Sequence, residues 1–150
     1  MPESVWERML VTAAEEVLET MFFTGVVGPA ADGESEVLSR FAARLRFEGT
    51  PSGALTVGLS KPAAQALAGN FLAVEGDGEL TDARVGGVIC ELANMICGAL
   101  LSRVEGDEHF RLGGPELLPS GAAPAGHYRR SLDVGEGTLE LWLALEDHAA

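Results

Sequence analysis

Glu91 and Asn94 stand one helical turn apart in GVICELANMICGALLS, residues 87–102, a run otherwise made almost wholly of Gly, Val, Ile, Leu, Met, Ala and Cys. At that spacing one carboxylate and one carboxamide project together from a single helix face. The carboxamide oxygen accepts a hydrogen bond from a water while its NH2 donates to a neighbouring oxygen. The carboxylate can pair with a cation or take up a proton as a general base.

At about 100° per residue, Gly87, Glu91, Asn94 and Gly98 fall within roughly 60° of one another, while Val88, Ile89, Leu92, Met95, Ile96 and Ala99 lie opposite. An interior glycine costs about 1 kcal/mol relative to alanine, so glycine on both sides of the polar pair needs a reason. Two reasons are available. An outside surface approaches the bare backbone and receives the pair; or the glycines admit another element of this chain, or of a second copy in a homodimer, and the pair is simply solvated.

Other chemistries find less support. His109, His127 and His148 occupy separate segments without paired spacing, so no metal site is expected. The acidic EGDGE run, residues 75–79, lacks the twelve-residue loop and terminal Glu of a calcium site and reads as a turn. No nucleophile elbow of the Gly-x-Ser-x-Gly type and no phosphate-cradling Gly-x-x-x-x-Gly-Lys loop is present. Arg129 and Arg130 read as a small basic spot on a strand.

Composition narrows the class. A chain of 150 residues with 47% hydrophobic content can bury a real core, and one domain over 1–150 is expected. A formal charge of -13, with ten scattered Lys and Arg, argues against nucleic acid. No basic N-terminal segment leads into an apolar stretch, and no apolar run reaches roughly 18 residues, so a cytoplasmic protein without membrane contact is expected. Cys90 and Cys97, about 10 Å apart along one helix, are too far apart to bridge and read as small buried apolar residues.

The elements that position the pair follow from pattern. Ser4-Val5-Trp6-Glu7 is a capping box, and Trp6, Met9, Ala13, Val17 and Met21 continue at helical spacing toward Gly25. PAADGES, residues 29–35, reads as a surface loop. FAARLRFE and ALTVGLS form a hairpin across GTPSG, and Ser60-Lys61-Pro62 opens a second helix. Thr81 and Asp82 cap the long helix of the pair, which should run to about Val104. HFRLG, HYRRSLDV and GTLELWLALE read as strands, the last two joined by Gly135-Glu136-Gly137. The expected fold is α+β, helices packed on a mainly antiparallel sheet. A faint echo of residues 16–21 in 91–96 leaves a pseudo-two-fold duplication open.

ELANMICGALLS, with LTDARVGGVIC before it and FRLGGPELLPSG after it, resembles the CheX-like members of the CheC/CheX/FliY family of chemotaxis phosphatases. Their signature is a helix with Glu-x-x-Asn, often continued as Asn-Met-x-x-Gly, and a Leu-x-x-Pro segment some twenty residues later. Glu91, Asn94, Met95, Gly98, Leu112 and Pro115 match it. EEVLETMF and the GTPSG hairpin match the family's front half more weakly. Members with two active helices carry a second Glu-x-x-Asn near the N-terminus, where this chain has Glu16-x-x-Glu19; one site is therefore expected. Where some members carry Asp or Ser four residues before the Glu, this chain has Gly87.

The resemblance implies a CheC/CheX-like fold and a cytoplasmic phosphatase of two-component chemotaxis signalling. Its substrate would be the phospho-aspartate of a CheY-like response-regulator receiver domain. Asn94 would place the attacking water and Glu91 would pair with the receiver's lysine; Gly87 and Gly98 would let the partner approach. No cofactor would be bound by this chain, Mg2+ being supplied by the receiver. The alternative implied by the same fold is a receiver-binding or flagellar-switch-like adaptor without catalysis.

Overall fold

A computed structural model describes residues 5–22, 24–29, 40–49, 52–72, 81–104, 110–118, 128–135 and 137–146. Its elements are α1 (Val5–Met21), β1 (Gly28–Pro29), β2 (Arg40–Glu48), β3 (Gly53–Ser60), α2 (Lys61–Leu72), α3 (Asp82–Leu101), β4 (Arg111–Leu112), β5 (Glu116–Leu117), β6 (Tyr128–Asp133) and β7 (Thr138–Leu145). The strands form one antiparallel sheet in the order β1-β6-β7-β3-β2-β4, and β5 also pairs with β2. The three helices pack on this open sheet, which is the α+β arrangement expected.

Period-two patterning explains the layers. Leu55, Val57 and Leu59 of β3, and Leu139, Leu141 and Leu143 of β7, alternate onto the helix side and are buried. They meet Leu10, Ala14, Val17 and Leu18 of α1, Ala64, Leu67 and Ala68 of α2, and Val88, Ile89, Leu92 and Ile96 of α3 in one core. By length and composition Asp82–Leu101 would pass for a membrane span. Here it is the central core helix, with ten of its residues buried.

The connectivity repeats itself. In the first half a long helix, α1, is followed by a short strand and the hairpin β2–β3; in the second, α3 is followed by two short strands and the hairpin β6–β7. The inner strands β3 and β7 pair at the sheet centre, from Gly53↔Leu145 to Leu59↔Leu139. The short strands cross over: β1 pairs with β6, whereas β4 and β5 pair with β2. The two halves share this order of helix, short strand and hairpin, while α2 has no counterpart among the described residues after β7.

Element boundaries differ from the sequence reading in ways that hydrogen bonds explain. The first helix ends at Met21, short of Gly25, because the Thr24 N–H turns back to the Leu18 carbonyl at 2.9 Å. The long helix ends at Leu101 rather than Val104, as Arg103 and Val104 donate to the carbonyls three residues back at 3.0 and 3.1 Å. Its predicted cap is correct: Thr81 Oγ1 accepts from the Arg84 N–H at 3.2 Å. Pro29, assigned to a loop, sits in the edge strand β1, where a residue without an N–H is tolerated. The β6–β7 turn falls as expected: Gly135 has φ +93, and the Val134 N–H donates to the Gly137 carbonyl at 3.0 Å. Ser4, residues 30–35, the EGDGE run and the three histidines lie outside the described residues.

Candidate functional site

The buried stripe of α3 packs against α1, α2 and the sheet, so its opposite face is the one left outward. Gly87 and Glu91 are exposed, and Asn94 and Gly98 are half-buried. A methyl group added at Gly87 or at Gly98 would meet nothing within 4 Å. Among the described residues the two glycines therefore admit no other element. The pair stands on an open, nearly side-chain-free ridge of a rigid core helix.

The glycine that does admit an element is Gly86, which the sequence reading passed over. A methyl group there would lie 2.6 Å from Leu117 Cδ1, so this position lets β5 close onto the flank of α3. The adjacent pair Gly86-Gly87 divides the two explanations: one glycine serves internal packing and its neighbour faces outward. The signal was available in the sequence, but only the outer glycine fell on the polar face.

Both ends of the ridge are fixed. At the N-terminal end the Thr81 cap holds the first turn. At the other, the Arg103 guanidinium donates to the Ala99 carbonyl at 2.8 Å and to Glu16 Oε1 of α1 at 2.6 Å. Glu16, at the position of a second active helix in the family pattern, is thus an ion-pair partner joining α1 to the end of α3. Glu7 likewise pairs with Arg130 at 3.1 Å. The expected Arg129–Arg130 basic spot does not form, since adjacent strand residues face opposite ways. Arg130 reaches α1, while Arg129 pairs with Glu140 at 3.5 Å and lies 5.7 Å from the Trp142 ring on the other face.

The remaining motif residues are structural. Met95 and Leu112 pack at the edge of the core. Pro115 lies between β4 and β5, both paired to β2. Cys97 is buried, as expected, and its thiol is pushed up to about 12 by burial. Cys90 is only half-buried, contrary to expectation, because it borders the ridge; burial first and the Glu91 carboxylate second push its thiol up. Cys90 therefore stays neutral at physiological pH and adds no second negative charge beside Glu91.

The arrangement is a projecting surface. A cleft of about 320 Å³, bordered by Thr24, Leu67, Asn70 and Val134 among others, takes no residue from α3. Among the described residues no three of His, Cys, Asp and Glu gather around a metal-sized site.

The family model described as chemotaxis phosphatase CheX matches residues 41–128, more than half of the chain and all of α3. The chain belongs to the CheX family. Solved structures agree in fold. CheX from Vibrio vulnificus superposes with a TM-score of 0.74 at 15% identity, covering 95% of this chain and 97% of that one. The CheX–CheY–BeF3–Mg complex from Borrelia burgdorferi gives 0.74 at 16% identity, covering 95% and 98%. FliY of Thermotoga maritima is more distant, at 0.55 and 13% identity, covering 96% and 92%. Among curated proteins none matches this chain by sequence.

Gly87→Ala and Gly98→Ala should each stabilise the protein by roughly 1 kcal/mol, since alanine favours the helix and its methyl group meets open space. Chemical denaturation of the two variants checks this.

Proposed function

We propose that this CheX-family protein is a cytoplasmic phospho-aspartate phosphatase acting on a CheY-like receiver domain, with Glu91 and Asn94 as the inserted pair. The observation that carries the proposal is the open ridge: Glu91 is exposed and Asn94 half-buried on a fixed helix, and the flanking glycines face no other described residue. The family match and the Borrelia CheX–CheY complex support the choice of partner.

An acyl phosphate is already reactive, and the receiver holds the divalent metal that screens its charge. What the phosphatase adds is the placement of water, which in a loose phosphoryl-transfer transition state supplies much of the acceleration. The Asn94 side-chain oxygen accepts a hydrogen bond from the water, fixing its lone pair in line with phosphorus; the NH2 donates to an oxygen of the receiver site. Water oxygen bonds to phosphorus as the phosphorus–aspartate oxygen bond breaks. The water's proton passes to the departing phosphate, leaving inorganic phosphate and a free aspartate carboxylate. Asn94, being neutral, does not repel the phosphoryl group.

Glu91 pairs with a receiver lysine and sets the register of the ridge in the pocket. It is an orienting residue in this reading. A carboxylate facing a phosphate without such a cation would be repelled, and the pairing turns that cost into selectivity. Gly87 and Gly98 keep the approach clear, so the alanine variants that stabilise the fold should capture the receiver less well.

The test is the rate of phosphate loss from a panel of purified, phosphorylated receiver domains of the same organism. Acceleration of one or more by catalytic amounts of wild-type protein is expected. Stable binding to a receiver without acceleration would instead make the protein an adaptor.

A further inference from the structure

Among the described residues, the large apolar side chains left substantially exposed include Leu117, 47% exposed, which is the one seated against α3. A single exposed leucine is ordinary on a protein surface. This one is maintained at a cost, because the room it occupies exists only where Gly86 interrupts a buried helix with the poorest helix-forming residue after proline. Gly86 lies about 7.5 Å along the axis from Glu91, so Leu117 stands on the flank of the ridge near its N-terminal end.

We infer that Leu117 is a receiver-contacting residue, an apolar knob that fixes the partner beside the Glu91–Asn94 pair and sets affinity rather than chemistry. The inference rests on the receiver reading above. Its support is the way the knob is held. Leu117 pairs with Ala43 of β2, the Leu118 N–H donates to the Ala42 carbonyl at 2.8 Å, and Glu116 pairs with Arg44 at 3.2 Å. With the backbone on both sides of Leu117 held by β2, only side-chain rotamers are left to order when a partner covers it, which favours its use in binding. Exposed Ala83 and half-buried Cys90 extend the same flank with small apolar surface. A partner that inserts the pair into its own polar pocket meets this apolar strip at the rim.

The test compares Leu117→Ser, Leu117→Met and Gly86→Ala with wild type on the phosphorylated receiver that wild type hydrolyses, at limiting and at saturating concentration. Leu117→Ser should raise KM roughly tenfold, the scale of uncovering half a leucine side chain, with kcat unchanged. Leu117→Met should stay near wild type. Gly86→Ala displaces the leucine without removing it and strengthens the helix, so it should raise KM without lowering the melting temperature. Val27→Ser, which removes an apolar side chain 71% exposed on the α1–β1 connection, should change nothing. If wild type binds without hydrolysis, the same variants are titrated against receiver loaded with beryllofluoride and Mg2+, with Kd in place of KM. An unchanged KM or Kd in Leu117→Ser and Gly86→Ala overturns the inference, as does a rise confined to a variant whose melting temperature falls. Loss of hydrolysis with normal effects on Kd would count against the phosphatase reading alone; absence of any receiver binding by wild type would overturn both.

Discussion

Asn94→Ala should lower the saturated rate of receiver dephosphorylation by roughly a hundredfold or more while leaving receiver affinity within a few-fold of wild type. Removing one group that positions a reactant or stabilises developing charge costs this much in other enzymes, and here it removes the group proposed to hold the attacking water. The substitution is clean. Asn94 is half-buried and outside the core, and alanine is the better helix former, so the variant should melt at or above the wild-type temperature. Rates at saturating phosphorylated receiver, with a melting curve on the same sample, check both halves. Glu91→Ala should act differently, raising KM more than it lowers kcat, because an ion-pair partner contributes to docking as well as to register.

The second large effect is on stability. Leu92→Ala should destabilise the protein by about 2–5 kcal/mol, measured by denaturant unfolding, through lost apolar burial and the cavity left in a layer that cannot collapse. Leu92 is 0% exposed and lies directly after Glu91, pointing into the core beneath the ridge. The site and the core are thus alternate faces of one helix. A loss of activity in Leu92→Ala should follow the unfolded fraction, whereas that in Asn94→Ala should not, and the contrast separates scaffold from chemistry.

Helical and strand periods announced α1, α2, α3 and both hairpins because each is long enough to repeat its pattern. The two-residue strands β1 and β5 carry no period, and Pro29 in β1 and Pro115 before β5 read locally as loop, whereas β4 falls inside the HFRLG segment read as a strand. They exist through pairing with β6 and β2, a tertiary effect that local pattern does not encode. The same limit hid Leu117. Its neighbour Glu116 and the surrounding Gly and Pro residues give no strand signal, and its contact with Gly86 joins positions 31 residues apart.

The candidate pair was legible for the opposite reason. Two polar residues between glycines on an apolar helix violate the pattern that packing alone would favour, and such violations gather at sites of function. What the sequence left open was whether Gly87 and Gly98 face another part of the chain. That depends on where β5, α1 and α2 lie around α3. The fold brings β5 against Gly86 and leaves the neighbouring face clear of the described residues. Glu16 shows the converse. Its spacing to Glu19 mimics the pair, yet its ion pair with Arg103 ties it to the scaffold.

The most direct test of the central claim is an NMR footprint of the full chain on adding a receiver loaded with beryllofluoride and Mg2+. The account predicts shifts concentrated at the backbone amides of Gly87, Glu91, Gly98 and Leu117 and at the Asn94 side-chain NH2, with the α1 residues Glu16 and Glu19 unmoved. A footprint centred on α1 or on the outer face of the sheet, with the α3 ridge unperturbed, would contradict it.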